Sequence, residues 1–272
     1  MIDNPSVPNY RLTLEYEGTR YRGWQEQQNA RSVTGELRRA IQEAGGVVRE
    51  IGGAGRTDAG VHALAQTAHL RLLKPVDPEA FRRAVNDLLP PDIHLLTLAP
   101  APDRFHARHD AVSRSYLYQI SRRRTALAKR GVWWVKRPLD IRPMGEAAAL
   151  LPGRHDFRLF CEKPAEQTST IVVVESVALE TAGALILVRL AASHFLWKMV
   201  RRVVGTLVQV GAGDLDLAGF RALLAGHPPR GGKGLPAEWT APPSGLFLER
   251  VLYPGDPPLG PLEPAMPVPA EE

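Results

Sequence analysis

The stretch Gly52-Gly53-Ala54-Gly55-Arg56-Thr57-Asp58-Ala59-Gly60-Val61-His62-Ala63 sets a carboxylate, a guanidinium and an imidazole among four glycines. Glycine permits the tight turns that such a run implies. On residue types alone Asp58 either caps the turn with its side chain or serves as a nucleophile or general base. A phosphate cradle does not fit, because no Gly-Lys-Ser/Thr follows and the spacing is not that of a dinucleotide fingerprint. Metal chemistry finds little support. Cys161 is the single cysteine, which excludes an internal disulfide and any zinc site built from several thiolates. His106 and His109 stand three apart without a cysteine partner or a zinc-helix motif, so no metal is expected.

The elements around this stretch follow from periodicity. Tyr10 to Tyr16 alternates polar and apolar residues and predicts a strand. A polar loop, Glu17 to Gln28, holds Tyr21 and Trp24. Ser32 reads as an N-cap, with a helix over Glu36 to Ala44. Val47 to Ile51 and Val61 to Leu72 read as strands on either side of the glycine-rich turn. Glu79 to Leu89 has helical spacing and stops at Pro90; Ile93 to Leu98 is a strand. Farther on, strands are expected at Ser115 to Ser121, Ile171 to Glu180, Leu185 to Leu190 and Leu246 to Tyr253. Helices are expected at Gly145 to Leu150, at Phe195 to Val210, ended by Gly211 and Gly213, and at Leu217 to Ala225, with a loop over Gly153 to Thr170. Tyr116 and Tyr118 admit a bland reading, one in the core and one at the surface.

Each half runs roughly strand, helix, strand, turn, strand, helix. The expected fold is therefore α+β: two similar halves with antiparallel-rich sheets flanked by helices. The domains read as 1–106, 107–253 and a disordered tail at 254–272, where seven prolines in 19 residues leave nothing to pack.

The 272 residues carry a net charge of +5, with 28 arginines against 6 lysines. That balance suits a polyanionic partner, since the guanidinium pairs with phosphate in a planar fork. The run Arg122-Arg123-Arg124 reads either as RNA contact or as a solvated turn. Met1 to Pro8 has no apolar leader core, and no apolar run reaches membrane-spanning length, so a cytoplasmic protein without membrane attachment is expected.

The run Ala54-Gly55-Arg56-Thr57-Asp58-Ala59-Gly60-Val61-His62-Ala63 resembles, residue for residue, the signature of the tRNA pseudouridine synthase A family. Tyr16-Glu17-Gly18, Tyr21 to Gln25, Phe105 to Arg108, Tyr116 with Tyr118, Met199-Val200-Arg201 and Ala241-Pro242-Pro243 are similar to the family's other segments. The resemblance spans Tyr10 to Tyr253. It implies that Asp58 is the catalytic aspartate, that Tyr116 stacks on the target base and that Arg201 is the cation paired with the aspartate. Arg56 and His62 are implied to shape the loop or touch RNA. Arg20, Arg22, Trp24, Arg104 and Arg108 are candidate tRNA contacts.

The reaction so implied is the cofactor-free isomerisation of uridine to pseudouridine at tRNA positions 38 to 40, in the anticodon stem-loop. The enzyme would be a homodimer with a catalytic cleft between its halves. The same chemistry at another RNA position, or a non-catalytic RNA-binding role, are the alternatives. The chain departs from the family pattern at Arg158 and Leu159, at His194, and at Lys198, where a histidine is usual. These departures bear on tRNA contact and not on the reaction.

Overall fold

A computed structural model describes residues 7–229 and 233–270. Most of the Met1 to Pro8 segment and the last two residues of the proline-rich stretch lie outside the described residues. The chain divides into two compact units, Met1–Val112 with Leu248–Asp256, and Ser113–Phe247 with Pro257–Glu272. The late segment 248–256 thus returns to the first unit.

The first unit is a β-α-β-β-α-β arrangement. Its strands are β1 (Asn9–Tyr16), β2 (Val48–Gly53), β3 (His62–Leu72) and β4 (Ile93–Pro100), and its helices are α1 (Val33–Glu43) and α2 (Pro78–Leu88). β1 lies between β4 and β3, and β2 pairs with β3, antiparallel throughout. The even-numbered residues Tyr10, Leu12, Leu14 and Tyr16 are all buried, as period-two alternation on one sheet face requires. Leu37, Ala40 and Ile41 of α1 and Phe81 and Val85 of α2 are buried as well. The Ser32 side chain accepts the Gly35 N–H, and α1 starts directly behind it at Val33, earlier than its apolar spacing predicts.

The second unit orders its strands β5 (Ser113–Ser121), β9 (Leu185–Ala192), β8 (Ile171–Ala182) and β7 (Gly153–Asp156), all antiparallel. A two-residue strand, β6 (Trp133–Trp134), runs parallel to the end of β5. Helices α3 (Ile141–Ala148), α4 (Met199–Gly211) and α5 (Leu217–Leu224) complete it, and β10 (Leu246–Leu252) follows. β6 and β7 are absent from the sequence-based expectation, which places a loop where β7 pairs His155 with Val172. α4 begins at Met199 and not at Phe195, because Lys198 takes a left-handed φ of 61°. It ends as expected: Gly213, at φ 79°, donates to the Val210 carbonyl and Asp214 to that of Gln209.

Every residue of β5 and β9 is buried. Tyr116 and Tyr118 therefore do not divide into a core and a surface residue; two apart on one strand, they share a face. The tail expected to be disordered packs within the second unit. Val268 is buried and its carbonyl accepts the Ala184 N–H. The carbonyls of Gly260 and Pro261 accept from Arg189, and Met266 N–H donates to Gln119. Proline removes donors but leaves carbonyls, and buried arginine and glutamine side chains use them. No helix among the described residues is long and apolar enough to cross a membrane.

Candidate active site

Asp58 sits, half-buried, in the loop joining β2 to β3. Its carbonyl accepts the Val61 N–H across a tight turn whose Gly60 has φ 77°, a region that glycine enters without a Cβ penalty. Ala54 N–H donates to the Thr67 carbonyl at one root of the loop. Gln66, fully buried on β3, holds Gly55 from both sides: its amide nitrogen donates to the Gly55 carbonyl at 2.8 Å and its oxygen accepts the Gly55 N–H at 3.4 Å. Thr57, the neighbour of Asp58, shares a 2.8 Å hydrogen bond with the Tyr16 hydroxyl. Burial pushes the Tyr16 hydroxyl well above the ordinary tyrosine range, so it stays protonated.

The segment after β1 packs against the loop through its backbone. Trp24 N–H donates to the Thr57 carbonyl and Gly60 N–H to the Tyr21 carbonyl. A Cβ on Gly23, whose φ is 99°, would stand 2.4 Å from the Thr57 oxygen, and one on Gly18 1.9 Å from the Val61 oxygen. Only glycine allows so close an approach. The Asp58 loop is therefore held from two sides before any ligand arrives.

His62 is buried and its Nδ1 accepts the Gly18 N–H at 2.9 Å. It serves to join the two segments. Trp24, expected among the RNA contacts, is instead 3% exposed, lies against Tyr16 and fills the space that Gly53 leaves open. An indole so enclosed supports the loop and does not reach RNA. Arg56 beside Asp58 is exposed, as are Arg20, Arg22, Arg104 and Arg108. Arg20 lies 3.9 Å from Asp92.

The other two expected residues belong to the second unit. Tyr116, in the middle of β5, meets Phe195 edge to face at 5.0 Å. Arg201, in the first turn of α4, donates from Nε to the Ala241 carbonyl at 2.7 Å, and Ala241 N–H donates back to the Arg201 carbonyl. Ala241 to Gly245 also fixes Tyr118, whose hydroxyl donates to the Pro242 carbonyl at 2.7 Å and whose ring fills the space beside Gly245. α4 comes this near only because residue 205 is glycine, since a Cβ there would fall 1.6 Å from the Trp239 oxygen.

One group could hold a metal by position: Glu50, His69 and His106, with ligand atoms within 4.8 Å of one another. The proton positions argue against it. His69 Nδ1 accepts the Ala107 N–H, and His106 Nδ1 accepts from Arg108 and His109 N–H. Each neutral ring then carries its proton on Nε2, where a metal needs a lone pair.

A model of the tRNA pseudouridine synthase family matches residues 13–110 and 147–254, well over half of the sequence. The chain belongs to that family. This synthase is 41% identical over 253 residues to tRNA pseudouridine synthase A of Maricaulis maris, covering 92% of the chain and 99% of that protein. It is 42% identical to tRNA pseudouridine synthase A of Mesorhizobium japonicum, covering 91% and 100%. Among solved structures, an H/ACA RNP bound to a substrate RNA containing 2'-deoxyuridine matches with a TM-score of 0.34 and 11% identity, covering 66% of this chain and 39% of that one. Family membership makes the synthase an isomerase, and its own strands and helices make it an α+β protein.

Sequence reasoning passed over Gln66, and it gave Tyr16 and Ala241 no role beyond their place in matching segments. Gln66 leaves one signal, an amide within the expected strand Val61 to Leu72, where a polar side chain needs a partner once buried.

Proposed function

We propose that this synthase isomerises uridine to pseudouridine at positions 38 to 40 of the tRNA anticodon stem-loop, with Asp58 as the reacting group. The family match supports the reaction class. The observation that carries the assignment of Asp58 is its loop, fixed through Gln66, Tyr16 and Gly23 so that Asp58 stands on a braced turn. Catalytic geometry needs such support from residues that are themselves locked.

The reaction breaks the N1–C1′ bond, turns the uracil and joins C5 to C1′. Nothing is oxidised or hydrolysed overall. Asp58 acts as nucleophile or base, Tyr116 offers the stacking ring for the detached uracil, and Arg201 supplies the cation, its side chain braced by Ala241. Extruding the target nucleotide costs a few kcal/mol, which exposed arginines such as Arg56 offset through phosphate contacts. Resemblance further supports a homodimer working in the cytoplasm, where its tRNA is found.

The test is tritium release from [5-³H]uridine-labelled tRNA transcript. Wild type releases tritium at anticodon-arm uridines, and Asp58→Ala binds the same transcript without release. Release that survives in Asp58→Ala removes that residue from the chemistry; modified uridines mapping elsewhere overturn the positional assignment.

A further inference from the structure

Residues 111–139 contain eight lysines and arginines and no aspartate or glutamate. In a chain with 29 acidic residues, this is a long basic stretch with no acidic residue of its own. The run leaves β5, turns through Arg122 to Gly131 and returns as β6. Trp134 of β6 is 37% exposed. The Arg124 guanidinium lies 5.8 Å and the Lys136 ammonium 5.4 Å from its ring centroid. Among the described residues both are held by the ring and by no carboxylate.

A second exposed indole provides the contrast. Trp197, 42% exposed, also has two lysines near its ring, Lys163 and Lys198. Those lysines pair with Glu166 at 2.9 Å and Glu162 at 3.4 Å. Its charges are answered by carboxylates; among the described residues those of Arg124 and Lys136 are not.

The basic turn is also built firmly. Gln119 donates to the Gly131 carbonyl, Ser121 to the Arg123 carbonyl, and Arg122 to the Gly183 carbonyl. Arg123 donates to Pro269 of the tail, and Arg137 forms a bidentate pair with Asp214. The anchoring arginines are thereby occupied, and Trp134, Arg124 and Lys136 are left as the outward group on a fixed frame. A flat ring flanked by unpaired cations matches an unpaired nucleotide, its base stacked and its flanking phosphates neutralised. β6 pairs with β5 at Ser121, five residues from Tyr116 and so about 17 Å from it along the strand. One nucleotide cannot occupy both rings.

We propose that Trp134, Arg124 and Lys136 form a second RNA contact, which stacks an unpaired nucleotide of the tRNA other than the one that reacts. The assignment rests on tRNA being the substrate, and it names a surface for substrate outside the reacting group. Because the contact acts on binding and not on bond making, its loss changes affinity and leaves kcat at saturating tRNA unaltered.

The experiment measures binding of an unmodified tRNA transcript to the full-length chain over a series of salt concentrations, with tritium release in parallel. Trp134→Ala weakens binding about tenfold, and Trp134→Phe stays within about twofold of wild type. Arg124→Gln with Lys136→Gln lowers the slope of log affinity against log salt by about 1.5. Thermal unfolding midpoints equal to wild type confirm that the exposed substitutions leave the fold intact. Unchanged affinity and slope in these variants, beside a wild type that releases tritium, overturn the contact and leave the isomerase reading standing. A wild type that binds through the patch but releases no tritium supports the contact and sinks the enzyme reading. A fall in kcat at saturating tRNA also overturns the proposal.

Discussion

Gln66 uses both ends of its carboxamide on Gly55, three residues before Asp58. Replacing it by leucine leaves the part-buried Gly55 N–H and carbonyl without this partner, at a cost of at most about 1–3 kcal/mol each. The Asp58 turn then relaxes, and a displacement near 1 Å lowers rate about a hundredfold. Gln66→Leu is expected to drop kcat by that order while tRNA affinity stays within about twofold, as single-turnover tritium release and filter binding would show. His69 acts on stability instead. Burial, with Arg71 and His109 adding to it, depresses its pKa in the fold although Glu50 pulls the other way. The unfolded chain therefore binds the proton more readily, so stability is full above the unfolded value near 6.5 and falls as pH drops below it. Urea midpoints measured from pH 7.5 to pH 5 should decline more steeply for wild type than for His69→Gln.

At the scale of elements, two small substitutions separate positioning from support. Gly23→Ala forces a methyl against the Thr57 carbonyl at a φ of 99°, and overpacking of this kind costs about 1–3 kcal/mol. It should lower both the thermal midpoint and kcat, because the displaced atoms belong to the Asp58 turn. Ser32→Ala removes the α1 cap for about 1 kcal/mol and should lower the midpoint with kcat intact. The same distinction accounts for what could be read in the residues. The Ser32 cap and the Gly213 stop depend on neighbours within five positions and are visible in the sequence. β6 and β7 are too short to show a period and exist only through their pairing with β5 and β8. In the Asp58 loop the reacting types stand in one contiguous run, whereas the Tyr16, Gln66 and Gly23 contacts join distant positions. Trp24 misled because an aromatic in a polar loop looks exposed until Gly53 opens a space for it.

At the scale of the molecule, the proline-rich tail is a structural part of the second unit. Ending the chain after Asp256 uncovers Val268's partners and takes the Gly260 and Pro261 carbonyls from the buried Arg189 guanidinium. Each bond to a charged group is worth about 1.5–3 kcal/mol, so urea denaturation should show a loss of about 3 kcal/mol or more. The return of Leu248–Asp256 to the first unit bears on how the protein is made. Leu248 is translated only after the 135 residues of Ser113–Phe247. At about 5–20 residues per second, the first unit stands on the ribosome for roughly 7–27 s with the place of β10 beside β3 unfilled. A bare strand edge invites pairing with other chains. The nascent chain thus has a timed vulnerability, set by gene order within one polypeptide, during which a holding chaperone or a slowed neighbour decides its yield. Rare codons placed across Ser113–Phe247 would lengthen that interval and lower the soluble yield without altering a single residue.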